Sequence, residues 1–141
     1  MRTIWWSKTV MAALFATSGM AFAGELDVRA AQQTVESQLR AFQSNDGTTA
    51  YSFAAPGIRR MFPTVDQFMG MVARGYAPIR NPKRFDMGTA TEMADGRIMQ
   101  NVVIVGPDGK TYEAKYVLQL QEDGTYRITA VSLRESTMVG A

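Results

Sequence analysis

The sequence has no cysteine and no histidine among its 141 residues. Without cysteine, the chain has neither a disulfide framework nor a thiolate nucleophile, and lipid attachment at an N-terminal cysteine is excluded. Without histidine, it lacks the only side chain whose unperturbed pKa lies near neutrality. These two absences remove most metal-binding and nucleophilic chemistry, so we expect no cofactor and no metal site.

The first 23 residues have the pattern of an export signal. Arg2 and Lys8 precede an apolar stretch from Thr9 to Ala16, and Ala21-Phe22-Ala23 places small residues at alternate positions. A basic start, a short apolar run and small residues of this kind are typical of a secretory signal peptide. We therefore predict a Sec-type signal that is cleaved after Ala23.

The alternative to cleavage is a retained membrane anchor. Residues 9–23 contain Thr, Ser and Gly and are fewer than the roughly 20 apolar residues that span a bilayer. We therefore predict a periplasmic or secreted protein, with residues 24–141 as a single domain and no transmembrane segment after cleavage.

Loss of the signal changes the charge of the chain. Arg2 and Lys8 are the only charged residues of the segment, so 13 of the 15 Lys and Arg residues remain against 13 Asp and Glu, and the formal net charge falls from +2 to zero. General affinity for nucleic acid rests on a surplus of cationic side chains. We therefore expect no nucleic-acid partner.

Helical periodicity dominates the first half of the mature chain. Within residues 27–43, one stripe of a helix carries Val28, Ala31, Val35, Leu39 and Phe42. Asn45 or Asp46 is placed to cap a second, shorter helix that runs through about Phe53.

Three further segments complete this half. Residues 58–62 form one helical turn, and Thr64 with Gln67 has the capping-box form at the start of a helix that ends at Gly75. Residues 76–83 contain two prolines and are predicted to be a loop.

The periodicity changes from 3.6 to 2 after this loop. Four strands are bounded by the hairpin signals Asp95-Gly96, Gly106-Pro107-Asp108-Gly109 and Glu122-Asp123-Gly124. Helices followed by strands indicate an α+β fold, with N-terminal helices packed on a curved four-stranded antiparallel meander.

The arrangement resembles the nuclear-transport-factor-2-like (NTF2-like) cone. More specifically, the run from Ala50 to Phe62, the segment Gly75-Tyr76-Ala77-Pro78 and the strand Gly124-Thr125-Tyr126-Arg127-Ile128 resemble a family of short exported bacterial proteins catalogued as domain of unknown function 4864. The resemblance covers most of residues 32–135. It implies a fold and export, and it supplies no activity.

The charge that remains is unevenly distributed. Residues 47–85 contain six basic residues and one acidic residue, a local balance of +5, interleaved with aromatic side chains. Arginine suits planar recognition of carboxylate or phosphate. This pattern favours a non-catalytic binding or adaptor module that holds an anionic amphiphilic ligand or an acidic partner at an Arg-rich cavity mouth. The candidate ligand-binding residues are Arg59, Arg60, Tyr76, Arg80, Arg84, Tyr51, Tyr112 and Tyr116.

Three alternatives stay open. Arg59 and Arg60 could pair internally with Asp46 or Asp66, leaving the loop arginines solvated. The chain could also be a structural partner of envelope proteins, with its cavity filled by its own side chains. The rival function is a small isomerase-like enzyme that uses a Tyr and a buried carboxylate.

The alternation of side chains along the predicted strands argues against the isomerase-like enzyme. It places Asp86 and Glu92 on the face opposite Phe85, and Glu113 opposite Tyr112, so that no acid points into the core. We therefore assign no catalytic residue from the sequence.

The outer face of the sheet is a candidate interface. It would expose Val117 and either Val103 and Val105 or Val102 and Ile104, while the last strand carries apolar residues on both faces. An apolar patch of this kind predicts a homodimer.

Overall fold

The computed structural model describes residues 19–136, with side chains from residue 24 onward. In this part of the chain, helices come first and strands follow, as predicted. Residues 1–18 of the predicted signal lie outside the described residues, and its cleavage stays a prediction. The elements are α1 (Gly19–Gln43), α2 (Gly47–Ser52), α3 (Pro56–Met61), α4 (Val65–Gly75), α5 (Ala77–Arg80), β1 (Arg84–Glu92), β2 (Ile98–Val105), β3 (Thr111–Leu120) and β4 (Tyr126–Glu135).

The central helix α1 packs its predicted stripe against the sheet. Ala31, Val35 and Leu39 are fully buried and Phe42 nearly so, at spacings that keep them on one side of a helix. Val28 packs against the same core from a partly buried position. The helical periodicity is therefore confirmed, and it fixes which face of α1 meets the sheet.

Side-chain caps set the starts of the next helices. Asp46 accepts hydrogen bonds from Thr49 N at 3.1 Å and Thr49 Oγ1 at 2.6 Å, and these bonds hold the pKa of its carboxyl below the usual value. Thr64 accepts from Gln67 N at 3.1 Å, which starts α4 as predicted. The Gln67 side chain makes no return bond within the described residues, so only half of the predicted capping box forms.

The predicted loop after α4 is partly helical. Residues 77–80 form α5, because Pro78 suits the first turn of a helix and Arg80 N bonds to Tyr76 O at 2.9 Å. The loop prediction for residues 76–83 is therefore wrong over these four residues. The turn buries Pro78 and Ile79 beside α1 and α4.

The four strands form one antiparallel sheet in the order β1-β2-β3-β4. Its inner face, which packs against the helices, includes Val102 and Ile104, whereas Val103 lies on the outer face and is 40% exposed. This settles the choice between the two pairs of β2 residues. Association through the outer face stays a prediction.

A β-bulge in β1 reverses its side-chain alternation. The register shifts between Met87 and Ala90, and beyond it Ala90 pairs with Gln100 and Glu92 with Ile98 on the inner face. The prediction that Glu92 lies opposite Phe85 is therefore wrong, because strict alternation ends at the bulge. Glu92 nevertheless stays exposed at the end of the strand.

A second bulge in β4 explains its two apolar faces. The adjacent residues Val117 and Leu118 of β3 pair with Ala130 and Ile128 of β4. Thr129 is therefore the extra residue of the bulge. Val131 beyond the bulge therefore returns to the inner face, which already carries Ile128. The outer face of β4 beyond the bulge therefore carries Ala130, Ser132 and Arg134 in place of Val131 and Leu133.

Candidate ligand-binding cavity

A partly open cavity of about 380 Å³ lies between the helices and the β3–β4 half of the sheet. The helices contribute mainly apolar side chains, among them Phe42, Ile58, Met61, Phe68, Met71 and Val72. The sheet contributes Tyr116, Ile128 and Val131. None of the side chains that line this cavity is charged. The site can therefore accept an apolar molecule without leaving a charge desolvated.

The segment between α2 and α3 pairs with the sheet next to the cavity. Residues 53–55 pair with the edge strand β4, through Ile128 N to Phe53 O at 2.9 Å and Ala55 N to Ile128 O at 2.8 Å. Pro56 then starts α3 directly after this bridge, two residues before the turn predicted for residues 58–62, because proline suits the first turn of a helix. Because the bridge stops at Ile128, β4 continues past the bulge without a backbone partner from the helical layer, and the cavity lies there.

Aromatic side chains form the wall between the cavity and the core. Phe68 stacks on Phe42 with ring centroids 6.2 Å apart and tilts against Tyr51 at 5.2 Å. The Tyr51 hydroxyl donates to Phe62 O at 2.7 Å, which ties α2 to the end of α3. Tyr51, predicted as a ligand-binding residue, therefore supports the wall and does not line the cavity.

Four polar side chains line the cavity from buried or partly buried positions, and one of them, Thr129, donates from Oγ1 to Val117 O at 3.0 Å. Tyr76 donates to Val131 O at 3.2 Å, and Gln38 donates from Nε2 to Ala50 O at 3.0 Å. Tyr116 is fully buried and its hydroxyl has no hydrogen-bond partner within the described residues. Burial raises the pKa of Tyr116, so that its phenol keeps its proton and remains a donor.

Gln38 was missed by the sequence prediction. It is only 4% exposed and lies between the buried positions Val35 and Phe42 of α1. Its distance of three residues from Val35 and four from Phe42 places it on the apolar stripe. A polar residue on an apolar stripe is the signal that could have identified it.

The four predicted arginines are not gathered at one mouth. Arg60 lines a neighbouring groove that shares Ile58, Met61 and Thr129 with the cavity. Arg59 lies over the Tyr51 ring, with its guanidinium carbon 4.7 Å from the ring centre. Within residues 24–136, neither arginine forms an ion pair with Asp46 or Asp66, so the predicted internal pairing is absent there.

The other two arginines do not line the cavity. Arg80 donates to Asn45 Oδ1 at 2.5 Å in the turn after α1. Arg84 begins β1, at the sheet edge opposite β4. Of the eight predicted residues, the structure brings Tyr76 and Tyr116 into the cavity and Arg60 next to it.

Tyr112 has a different environment at the far end of β3. Its hydroxyl donates to Asp108 Oδ2 at 2.6 Å in the β2–β3 turn, and this hydrogen bond raises the pKa of Tyr112 to about 12. Asp108 is exposed, and no acidic side chain lines the cavity. The described residues therefore do not bring a buried carboxylate to Tyr51, Tyr112 or Tyr116.

Two other kinds of site are absent from the part of the chain that the structure describes. Between residues 19 and 136, no helix is long and apolar enough to cross a membrane. In the same range, no group of three or more acidic side chains is placed to hold a metal ion.

Comparison with known proteins identifies the family. No curated protein and no solved structure matches the chain. The model of one family, described as "Domain of unknown function (DUF4864)", matches residues 25–141. This match includes every strand and the cavity, and the chain therefore belongs to the DUF4864 family.

Proposed function

We propose that this protein is a non-catalytic binding module that holds the apolar body of a small amphiphile in the cavity. The observation that carries the proposal is a cavity of about 380 Å³ with apolar walls and no charged lining residue. Small-molecule sites are commonly concave and mostly apolar, with a few polar groups that fix orientation. The export signal predicted for residues 1–23 would place this module in the periplasm or outside the cell.

Met71 offers a way to block the cavity. Its side chain is partly buried on α4 and lines the site, so a larger ring at this position occupies the cavity without replacing a fully buried core residue. We expect Met71→Trp to weaken binding of the neutral fluorophore N-phenyl-1-naphthylamine by more than tenfold. The measurement is a fluorescence titration of the wild-type protein and the variant.

A matched control distinguishes the cavity from the outer sheet face. Met99 pairs with Val117 on the outer face and is also partly buried. Met99→Trp adds the same ring far from the cavity and is expected to leave the dissociation constant unchanged. Equal affinity in the wild-type and Met71→Trp proteins, or no binding to the wild-type protein, would overturn the proposal.

The position of Arg60 favours a ligand whose exposed end carries an anionic group. It lines the groove that adjoins the cavity, so a ligand that extends from the cavity past Ile58 and Met61 would reach its guanidinium. The sulfonate 8-anilinonaphthalene-1-sulfonate shares the aromatic skeleton of the neutral fluorophore. An exposed ion contact contributes up to about 1 kcal/mol.

We therefore expect Arg60→Gln to weaken binding of the sulfonate by about two- to fivefold, and to leave binding of N-phenyl-1-naphthylamine unchanged. Arg84→Gln is the control, because Arg84 lies at the opposite edge of the sheet. If both fluorophores respond equally to Arg60→Gln, or the sulfonate does not respond, Arg60 does not recognise the charge.

A further inference from the structure

Tyr116 occupies the centre of the inner sheet face. Its cross-strand neighbours are Gln100 on β2 and Val131 on β4, and the whole residue is inaccessible to solvent. It is also one of the residues that line the cavity. Because the hydroxyl itself is closed to solvent, a ligand oxygen contacts it only where the side chains that cover it move aside.

The hydroxyl of Tyr116 has no partner within the described residues, which is unusual for a buried polar group. Burying a hydroxyl without a hydrogen bond costs free energy that an apolar side chain of the same shape would avoid. Phenylalanine has that shape. The hydroxyl therefore makes the protein less stable unless it forms a hydrogen bond in another state.

The nearby amide and hydroxyl donors bond to the backbone, whereas Gln100 Oε1, like the Tyr116 hydroxyl, is a buried polar atom without a partner within the described residues. Gln100 donates from Nε2 to Gly88 O at 3.0 Å and to Asn101 O at 2.8 Å, which holds its amide at the β1 side of the sheet. Tyr76 donates to Val131 O and Gln38 to Ala50 O. In this arrangement of side chains Tyr116 thus finds no acceptor among the described residues, Gln100 Oε1 included, and a molecule in the cavity can supply one.

The chemistry of the lining specifies what kind of acceptor fits. No cationic side chain lines the cavity, so an anion at the inner surface would lose its hydration without gaining an opposite charge. A carbonyl, ether or hydroxyl oxygen has a smaller desolvation cost, which one hydrogen bond can offset.

Resting on the function proposed above, we propose that Tyr116 donates a hydrogen bond to an uncharged oxygen at the buried end of the ligand. The ligand class is then an amphiphile with a neutral oxygen inside the cavity and its charge, where it has one, outside. The Tyr116 hydroxyl fixes its orientation and selects it against pure hydrocarbons of the same shape.

Two probes of closely similar shape test this recognition. The ketone 2-acetylnaphthalene carries an acceptor oxygen, whereas 2-isopropylnaphthalene carries a methyl group in its place. Their affinities are measured by displacement of N-phenyl-1-naphthylamine from the wild-type, Tyr116→Phe and Tyr76→Phe proteins. The ratio of the two dissociation constants is determined for each protein and then compared between the proteins. This comparison cancels the different hydration of the two probes.

We expect Tyr116→Phe to reduce the relative preference for the ketone by at least fivefold, while the affinity for 2-isopropylnaphthalene is unchanged. Tyr76→Phe also removes a hydroxyl from the lining, but that hydroxyl already bonds to Val131 O, so the wild-type preference is expected to persist. A loss confined to Tyr116→Phe therefore assigns the recognition to one hydroxyl.

The outcomes separate the two proposals. If both naphthalenes bind to the wild-type protein and Tyr116→Phe leaves their ratio unchanged, the cavity binds apolar molecules and the role of Tyr116 is overturned. That role is also overturned if Tyr76→Phe lowers the ratio as much as Tyr116→Phe does. If N-phenyl-1-naphthylamine does not bind to the wild-type protein, the proposed function fails together with this inference; if it binds and neither naphthalene displaces it, this inference alone is overturned.

Discussion

Replacing Phe68 by alanine is expected to lower the free energy of unfolding by about 3–5 kcal/mol. Phe68 is 4% exposed and packs between the rings of Phe42 and Tyr51, so its removal deletes both aromatic contacts. The space it leaves joins the existing cavity, whose opposite wall is a hydrogen-bonded sheet that cannot collapse onto α4. The measurement is urea denaturation, with unfolding followed by circular dichroism.

Phe68→Leu is the matched variant. It keeps an apolar side chain against Phe42 and loses only part of the volume, so the expected destabilisation is less than half that of the alanine variant. A loss below about 1 kcal/mol for Phe68→Ala would contradict the packing described for α4. It would mean that this helix does not rest on the core through Phe68.

Leu39→Ala tests the other main contact, between α1 and the sheet. Leu39 is fully buried within the stripe formed by Ala31, Val35 and Phe42, and it does not line the cavity. Truncation of a buried leucine costs about 2–5 kcal/mol through lost burial and the cavity that remains. We expect a loss in this range by the same denaturation measurement, with little effect on the affinity for N-phenyl-1-naphthylamine under conditions where the variant is folded.

The neighbouring residue provides the control for Leu39. Arg40 lies on the opposite, exposed side of α1 and pairs at the surface with Glu36. Surface pairs of this kind contribute little, so Arg40→Ala is expected to change stability by less than about 0.5 kcal/mol. Similar losses for the two alanine variants would show that α1 does not bury the face assigned to it.

The sequence predicted the helices well because their signals are local. The stripe from Ala31 to Phe42 and the caps at Asp46 and Thr64 depend on residues that lie within a few positions of one another. The turn α5 was missed because two prolines favour a loop, although Pro78 is compatible with the first turn of a helix. The strands and their antiparallel order were also predicted correctly.

The two bulges could not be predicted, because each depends on the register between neighbouring strands. In β1 the bulge brings Glu92 to the inner face, and in β4 it returns Val131 to that face. A pattern of strict alternation contains no signal for one extra residue. The NTF2-like cone and the homodimer through the outer face stay predictions.

Most of the candidate site could not be predicted from the sequence either. Tyr116 was identified because alternation places it on the apolar face, and Tyr76 because it lies among cationic and aromatic residues. What the sequence could not show is that the Tyr76 hydroxyl is bonded to Val131 O while that of Tyr116 has no partner. The separation of Arg80 and Arg84 from the cavity likewise follows from the tertiary fold, since both are close to Tyr76 along the chain.

The most direct test of the proposed binding function is a crystal structure of the protein with N-phenyl-1-naphthylamine bound. We predict that the fluorophore lies inside the cavity, against Phe68 of α4 and the ring of Tyr116 on the sheet. A fluorophore located on the outer face beside Val103 and Val117, or a cavity closed by its own side chains with no fluorophore inside, would contradict this function.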